Sequence, residues 1–293
     1  MRAKALTGEL ATRAKSAYGF VMPYAMTRSG ARVHYKVHGT KGPFVVLLMG
    51  LGAPSGLWLD VPDLLAQHDP PFQVLAVDNL GTGLSDRFRR PLSIRAMASH
   101  VISVMDAAGA DRAYLVGLSM GGMVAQHVAL TYPDRLEGLV LMATTPGLIH
   151  GGLPTLRALR SLLRVSLGAR SDRRVARELV ADLILSRGQR ELAQDIIERV
   201  TPAYRASPTS TESFVFQLLA CALHSTGREL RRIRTPTIVV TGDDDIVMGR
   251  RSSRVLASRI PNAQLEIVPG CGHGVNFTHP EIVARAIAKL RAA

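Results

Sequence analysis

The sequence predicts an α/β fold in which a mostly parallel β-sheet is covered by helices on both sides. Short apolar runs recur along the chain with little alternation, as expected for strands buried on both faces. Stretches of helical period lie between them, and such strand–helix alternation favours parallel pairing. Several runs end directly in glycine or aspartate. Chemistry is therefore expected at the carboxyl ends of the strands.

Six apolar runs are predicted as central strands: 44–49, 72–77, 113–116, 139–142, 237–240 and 265–268. Five helices are predicted among them, over about 59–67, 94–108, 121–131, 248–259 and 280–292. The earlier segment 31–38 alternates apolar and polar residues, and Gly30 precedes it. This pattern predicts a half-exposed strand paired in a hairpin, with His34 and His38 on the exposed strand.

One long segment, 147–232, contains no strand-like run followed by a glycine turn. Leucines recur in it at helical spacing beside a stripe of arginines: Leu153, Leu156, Leu159, Leu163 and Leu167, with Arg157, Arg160 and Arg164. Its place between two core strands predicts a helical cap or lid. The predicted division is a basic extension (1–23), an α/β core (24–146 and 233–293) and the cap (147–232).

The charge balance is strongly basic. The 293 residues include 36 Lys and Arg against 23 Asp and Glu, for a formal net charge of +13. The basic residues are scattered, and no zinc-finger spacing or long Lys/Arg run accompanies them, so nucleic acid is not expected as a partner. The surplus is interpreted as a solvated arginine-rich surface, or as weak attraction to an anionic membrane or granule surface.

Targeting and redox features predict a cytoplasmic protein. Residues 1–20 lack the continuous apolar core of a secretion signal. No stretch reaches the ~18–20 apolar residues needed to span a bilayer. Cys221 and Cys271 are far apart and form no CxxC pair, so neither a metal site nor a disulfide scaffold is expected.

The segment Gly117-Leu118-Ser119-Met120-Gly121 stands between a predicted strand and a predicted helix. A serine on such a sharp turn needs neighbours at −2 and +2 with almost no side chain, which Gly117 and Gly121 provide. This nucleophile elbow raises the hydroxyl above the sheet, at a helix N-terminus whose amides stabilise negative charge. Ser119 is the predicted nucleophile. The alternative is a glycine turn whose serine only caps the helix.

A serine nucleophile needs a base, and the base needs an acid that orients it. His273 lies in a glycine-rich loop after a predicted strand, which leaves its imidazole free to reach the serine. His224 in the insertion is the only rival. Three carboxylates follow the strand 237–240 and are candidates for the acid: Asp243, Asp244 and Asp245.

In this order, the motifs resemble those of the α/β-hydrolase family over roughly residues 24–293. Asp78-Asn-Leu-Gly-Thr-Gly-Leu-Ser85 matches the family's Asp-x-x-Gly-x-Gly-x-Ser signature. The family acid is usually the fourth residue of a Gly-x-x-Asp turn, which implies Asp245, with Asp243 and Asp244 structural or solvated. The resemblance therefore implies a triad of Ser119, Asp245 and His273.

The resemblance also implies an oxyanion hole made of two backbone amides. One amide belongs to Met120, and the other to Leu51 in the loop Met49-Gly50-Leu51-Gly52. Many family members have His-Gly-x in this loop. Met49 stands at the histidine position, which removes a polar group that often braces the loop.

The predicted activity is hydrolysis of carboxylic esters with an apolar acyl part, through an acyl-enzyme and without a metal or organic cofactor. Serine at the elbow disfavours haloalkane dehalogenases and epoxide hydrolases, which use aspartate there. The substrate is expected to be a small-molecule or lipid-like ester. The insertion leucines, with Phe214, Phe216, Leu218 and Leu219, either form an apolar acyl-binding cleft or pack the cap onto the core.

The triad leaves several substrate classes open, because specificity depends on the pocket and the cap. The segments 214–220, 241–245 and 260–265 also resemble intracellular polyhydroxyalkanoate depolymerases, which cleave polyesters and share this triad. Lactonases, C–C bond hydrolases and cofactor-free haloperoxidases of this fold use serine too. A catalytically silent binding protein is the non-enzyme alternative.

Overall fold

The computed structural model describes residues 14–15, 21–88, 90–166 and 173–292. Its strands are β1 (Ala14–Lys15), β2 (Val21–Met22), β3 (Tyr24–Met26), β4 (Arg32–His38), β5 (Phe44–Leu48), β6 (Gln73–Val77), β7 (Ala113–Leu118), β8 (Leu136–Met142), β9 (Thr237–Gly242) and β10 (Ala263–Val268). β1 and β2 form a separate two-stranded ribbon. The other eight form one sheet in the order β10-β9-β8-β7-β5-β6-β4-β3.

The helices of the described residues are α1 (Val61–Ala66), α2 (Ile94–Ala107), α3 (Met120–Thr131), α4 (Leu148–Gly151), α5 (Leu156–Ser166), α6 (Arg173–Leu183), α7 (Ala193–Ala206), α8 (Thr211–Ala222), α9 (Gly249–Arg259), α10 (Val275–Thr278) and α11 (Ile282–Ala292). Helices α4 to α8 lie between β8 and β9 and belong to the insertion (147–232). Within the described ranges, no helix is long and apolar enough to cross a membrane.

The sheet confirms the predicted fold class. β5 pairs in parallel with β6 and β7, and the parallel order continues through β8 and β9 to β10. Among the described strands of this eight-stranded sheet, the antiparallel pairs are β3–β4 and β4–β6. All six predicted central strands are present, and their carboxyl ends meet at one edge of the sheet.

Apolar cores on both faces of the sheet explain why the strand runs do not alternate. Along β5, Val46 and Leu48 belong to one buried cluster, while Val45 and Leu47 belong to the other. Helices α2 and α3 cover the first face, and α1 and α11 cover the second. A strand in the middle of such a sheet has no solvent-facing side, so every position is apolar.

A half-exposed strand is present over Arg32–His38, but the prediction that His34 lies on its exposed side is wrong. His34 is 1% exposed, and the neighbouring Tyr35 is buried as well. The His34 ring lies edge-on to Tyr24 in β3, and its Nδ1 lies 2.8 Å from a carboxylate oxygen of Asp78. A polar residue on this strand is thus buried because it has a buried partner. His38 is partly exposed and contacts Asp63.

The prediction that the regularly spaced leucines of 153–167 pack inward or form a cleft is wrong for the four that the structure describes. Leu153, Leu156, Leu159 and Leu163 are between 56% and 80% exposed. The fifth, Leu167, lies outside the described residues. Phe214, by contrast, is buried in a small cluster with Leu179.

Small residues and ion pairs account for this orientation of α5. The face of α5 that packs inward carries Ala158 and Ser161, both buried. Arg157 pairs with Asp182 of α6, and Arg164 pairs with Glu178. These pairs lie on the side of α5 that faces α6, and the leucines lie on the opposite, outer side.

Candidate active site

Ser119 is the single residue between the end of β7 and the start of α3. Its backbone has φ 55° and ψ −117°, a conformation that costs a non-glycine residue free energy. The amide of Ser119 donates to the carbonyl oxygen of Met142 (2.9 Å), and the Thr144 hydroxyl donates to the carbonyl oxygen of Ser119 (2.7 Å). The end of β8 and the residues that follow it thus bind both backbone polar groups of Ser119 and stabilise the strained turn.

Close backbone contacts explain the two glycines of the elbow. A Cβ at Gly117 would lie 2.4 Å from the carbonyl oxygen of Gly121. A Cβ at Gly121 would lie 2.1 Å from the carbonyl oxygen of Leu48 in β5. Both distances are far below contact distance, so any side chain at either position displaces backbone.

The structure brings two of the predicted site residues into direct contact. Nδ1 of His273, after β10, lies 2.9 Å from Oδ2 of Asp245, after β9. Both residues are buried. The other carboxylate oxygen of Asp245 accepts hydrogen bonds from the amides of Val247 (2.8 Å) and Met248 (3.0 Å). The carboxylate is therefore fixed on one side by backbone and faces the imidazole with the other.

The electrostatics of this pair favour an ionised carboxylate. Burial alone would raise the pKa of Asp245, because it penalises the charged form. The charge and hydrogen bond of His273, with the two amides, outweigh that penalty and hold the pKa below its ordinary value. A carboxylate at Nδ1 keeps the proton of a neutral imidazole there, which leaves Nε2 as the basic nitrogen.

The neighbouring carboxylates have other surroundings. Oδ2 of Asp244 accepts a hydrogen bond from the amide of Arg187 (3.0 Å), and the amide of Asp244 donates to the carbonyl oxygen of Cys271. The histidine contact of this aspartate cluster belongs to Asp245.

The loop after β5 lies over the serine. A Cβ built on Gly50 would be 3.2 Å from the Cβ and 3.7 Å from the hydroxyl of Ser119. Leu51 follows directly, so its amide belongs to the segment next to the nucleophile. Met120 begins α3 immediately after Ser119. The structure thus places both predicted amide donors on segments that adjoin Ser119.

Three side chains that the sequence analysis did not single out brace this loop. Asn79 donates to the carbonyl oxygen of Met49 (2.9 Å), and Thr209 donates to that of Gly52 (3.0 Å). Gln217 of α8 accepts from the amide of Gly52 (2.8 Å) and donates to the carbonyl oxygen of Leu80 (2.9 Å). Met49 itself is buried among apolar residues.

One feature of the sequence, the polar Gln217 inside the apolar helix α8, could have indicated this bracing. Gln217 is fully buried and is flanked in sequence by Phe216 and Leu218. A buried amide is costly without partners, so a lone glutamine in such a run predicts a specific hydrogen-bonded role. The identity of its partners depends on the tertiary fold.

Asp78, the first residue of the predicted signature, has a structural role. Its carboxylate accepts from the amides of Ser55 (2.6 Å) and Leu84 (3.0 Å), and it contacts Nδ1 of His34. Burial opposes ionisation, but these hydrogen bonds hold the pKa of Asp78 below its ordinary value. The residue ties β4 and the loop after β6 to the turn that follows the Gly50–Gly52 loop.

His224, the rival base, is packed away from the predicted acid. Its ring centroid lies 5.2 Å from that of His127 in α3, at 82° between the planes. Burial lowers the pKa of His224 to about 3 and that of His127 to about 4. Within the described ranges, no group of three or more His, Cys, Asp or Glu residues is arranged to hold a metal ion.

Comparison with known proteins places this geometry in context. The family described as alpha/beta hydrolase fold matches residues 43–280. A RutD protein of Caulobacter sp. (strain K31), named as a carbamate hydrolase, is 29% identical over 268 residues, which cover 87% of this chain and 94% of the relative.

Two further relatives carry other substrate names. A 2-hydroxy-6-oxononadienedioate/2-hydroxy-6-oxononatrienedioate hydrolase of Burkholderia vietnamiensis (strain G4 / LMG 22486) is 29% identical over 282 residues, covering 88% of this chain and 90% of the relative. A poly(3-hydroxyalkanoate) depolymerase of Ectopseudomonas oleovorans is 32% identical over 249 residues, covering 83% of each chain.

Proposed function

The chain belongs to the α/β-hydrolase family and is a hydrolase. We propose that it cleaves carboxylic esters with an apolar acyl part through Ser119, His273 and Asp245. The observation that carries this proposal is the buried Asp245–His273 contact at the edge of the sheet where Ser119 occupies its strained turn. An imidazole oriented in this way is suited to accept a proton at Nε2.

In the proposed reaction, the Ser119 oxygen attacks the ester carbonyl carbon while its proton passes to Nε2 of His273. The carbonyl electron pair moves to oxygen, and the amides of Leu51 and Met120 stabilise the resulting anion. The tetrahedral intermediate collapses, the C–O bond to the alcohol breaks, and the leaving oxygen takes the proton from His273. Water, activated by the same imidazole, then releases the acid from Ser119.

Apolar residues around the oxyanion loop support the choice of acyl part. Leu51 packs against a cluster formed by Leu179 and Phe214, with the partly buried Leu183 and Leu218 at its edge. This cluster joins helices α6 and α8 to the loop that carries the proposed oxyanion donor of Leu51. An acyl chain next to Ser119 would meet hydrocarbon there, and its burial favours apolar over charged acids.

A panel of p-nitrophenyl esters of rising acyl length tests this proposal. We expect kcat/KM to rise beyond acetate, because each buried methylene adds binding free energy. Ser119→Ala should remove turnover by several orders of magnitude with the fold retained. A maximum at acetate would contradict the apolar acyl part. Absence of turnover for every ester would favour C–C bond cleavage or a haloperoxidase-like reaction.

Polyester cleavage is the second candidate, because the depolymerase relative is 32% identical over 249 residues. Its chemistry at Ser119 would be the same, with a polymer chain in place of a small ester. Release of hydroxy acids from an amorphous polyhydroxyalkanoate suspension, lost in Ser119→Ala, would support it. Turnover of p-nitrophenyl esters without any release from the suspension would exclude it. A p-nitrophenyl carbamate in the same panel tests the activity named for the RutD relative.

A further inference from the structure

The outer face of α5 is apolar and has no protein covering it in the described structure. Leu156, Leu159 and Leu163 are 74%, 56% and 59% exposed. Leu153, in the segment before the helix, is 80% exposed. A surface helix ordinarily turns its large apolar residues toward the core and its small or polar residues outward. Here the order is reversed, because Ala158 and Ser161 occupy the buried side.

The rotation of α5 is fixed by contacts that do not involve the leucines. Arg157 pairs with Asp182, and Arg164 pairs with Glu178, both on α6. Ala158 is fully buried, which allows close approach of the helix to its neighbours. Turning the leucines inward would break both ion pairs and place three large side chains where the helix now presents small ones. The exposed leucines therefore belong to the folded state.

Basic residues border the leucines on the same outer side. At 100° per residue, Arg160 follows Leu156 around the helix, and Arg164 follows Arg160. Both arginines are exposed. Because Arg164 is paired with Glu178, the positive edge of the apolar strip is carried by Arg160, on a chain whose formal net charge is +13. An apolar strip with a basic edge is the pattern of helices that lie in the plane of a lipid surface.

We propose that this outer face of α5, defined by Leu156, Leu159, Leu163 and Arg160, docks onto an anionic lipid surface. The leucines enter the boundary between headgroups and acyl chains, while the arginine contacts phosphate oxygens. Attraction of the whole basic protein to the surface supplies a second contribution, since one apolar strip alone gives only weak binding. The proposal does not depend on the chemistry at Ser119.

A second copy of the chain fits this face less well. Three leucines on a convex helix expose on the order of a few hundred Å², whereas a stable dimer buries roughly 1,200 Å² or more. A two-fold contact through this face would also bring together the arginine edges of two strongly basic molecules. A fluid lipid surface needs neither shape complementarity nor a large rigid contact.

Vesicle flotation with the full-length protein tests the proposal. Vesicles of phosphatidylcholine with about 30% phosphatidylglycerol are compared with phosphatidylcholine alone, an anionic fraction chosen to give a strong surface potential. We expect binding to the anionic vesicles, weakened by added salt because screening reduces the charge attraction. Leu156→Ser/Leu159→Ser/Leu163→Ser should lower the partition coefficient about tenfold or more. Arg160→Gln should lower it about fivefold on anionic vesicles only.

A matched variant controls for loss of exposed apolar side chains elsewhere. Val37→Ser/Leu64→Ser/Ile267→Ser also removes three exposed apolar residues, none of them in the insertion. It should bind vesicles like the wild type. Circular dichroism and urea denaturation establish that each variant is folded.

Three outcomes would overturn the proposal. The first is failure of the wild type to float with anionic vesicles. The second is equal binding by the α5 leucine variant and the wild type. The third is a concentration-dependent dimer that the same leucine variant abolishes, without vesicle binding, which would assign the face to a second copy.

Discussion

The local sequence predicts the geometry of the elbow at Ser119 but not the orientation of helix α5. At the elbow, a Cβ on Gly121 would lie 2.1 Å from a carbonyl oxygen of β5, so the sequence motif and the geometry require each other. In α5, leucines at helical spacing are exposed, and the inward side carries Ala158 and Ser161, with Arg157 and Arg164 paired to α6. Short-range backbone contacts make a motif reliable, whereas the rotation of a helix depends on its neighbours.

Loss of the contact between Asp245 and His273 should have the largest effect on activity. Asp245→Asn should reduce kcat by about 10³–10⁴-fold, because an amide no longer stabilises the imidazolium or holds its tautomer. The control is Asp244→Asn, whose carboxylate contacts the Arg187 amide instead and should change kcat by less than about threefold. Steady-state kinetics on a soluble ester measure both. A severe loss in Asp244→Asn with a mild one in Asp245→Asn would reassign the acid.

Gly121→Ala should destabilise the fold more than any change on α5. The new methyl group would collide with the carbonyl of Leu48, and the strand and helix that meet there would have to separate. We expect a loss of about 3 kcal/mol or more in the free energy of unfolding, measured by urea denaturation. Gly188→Ala, where a Cβ would meet nothing within 4 Å, is the control. Equal stability of the two variants would show that the elbow is less constrained than the distances indicate.

The histidine pair joins the core to the insertion and should make stability depend on pH. Burial lowers the pKa values of His127 and His224 to about 4 and about 3, with Arg95 and the neighbouring histidine adding to the effect. The unfolded chain binds protons below about pH 6.5 that the folded chain does not bind until lower pH. Proton uptake by the unfolded chain therefore lowers the free energy of unfolding as the pH falls below about 6.5, and above that pH the stability is highest.

Each of these two histidines should lower the free energy of unfolding by about 2 kcal/mol when the pH falls from 7 to 5. Urea titrations at pH 7, 6 and 5 measure this slope. His224→Phe, which keeps an aromatic ring against His127, should reduce the slope by the share of one histidine. An unchanged slope in His224→Phe would contradict the buried neutral state of this residue.

Gln217 should affect the reaction through the loop that carries Leu51. Gln217→Met removes the acceptor for the Gly52 amide and the donor to Leu80. We expect kcat to fall about tenfold with KM nearly unchanged, because a displaced oxyanion donor acts mainly in the transition state. Gln126→Met also removes a fully buried glutamine, but its partners are Gly122, Thr145 and Thr226. Equal kcat losses in both variants would indicate general destabilisation instead of positioning.

Changes on α5 should have the smallest effect on stability. Leu156→Ser should change the free energy of unfolding by less than about 0.5 kcal/mol, because the side chain is already 74% exposed. Leu256→Ser in α9, where the leucine is fully buried, should cost about 3 kcal/mol or more. Urea denaturation compares the two. A large loss in Leu156→Ser would mean that the leucines face the protein interior.

The parts that sequence could predict are those fixed by local rules. Runs without alternation indicated the central strands, and the glycine spacing indicated the elbow. The contact between Asp245 and His273 followed from a family resemblance, which restricted the choice among three adjacent aspartates. The distance between these residues depends on the parallel pairing of β9 with β10, confirmed by the sheet.

The parts that sequence missed depend on partners distant along the chain. His34 is buried because Asp78, 44 residues later, faces it. The brace at Gly52 comes from Gln217, 165 residues away. The outward turn of α5 accompanies pairs with Asp182 and Glu178 on the next helix and a buried side made of small residues. A periodic pattern identifies a helix but not which neighbours it meets.

Active-site labelling tests the central claim most directly. Folded protein is treated with a fluorophosphonate, and the adduct is located by intact mass and peptide mapping. The proposed mechanism predicts one adduct per chain on Ser119, none on Ser119→Ala, and slower labelling of Asp245→Asn. An adduct on another residue, or no adduct on a folded wild-type protein, would contradict the assignment of Ser119 as the nucleophile.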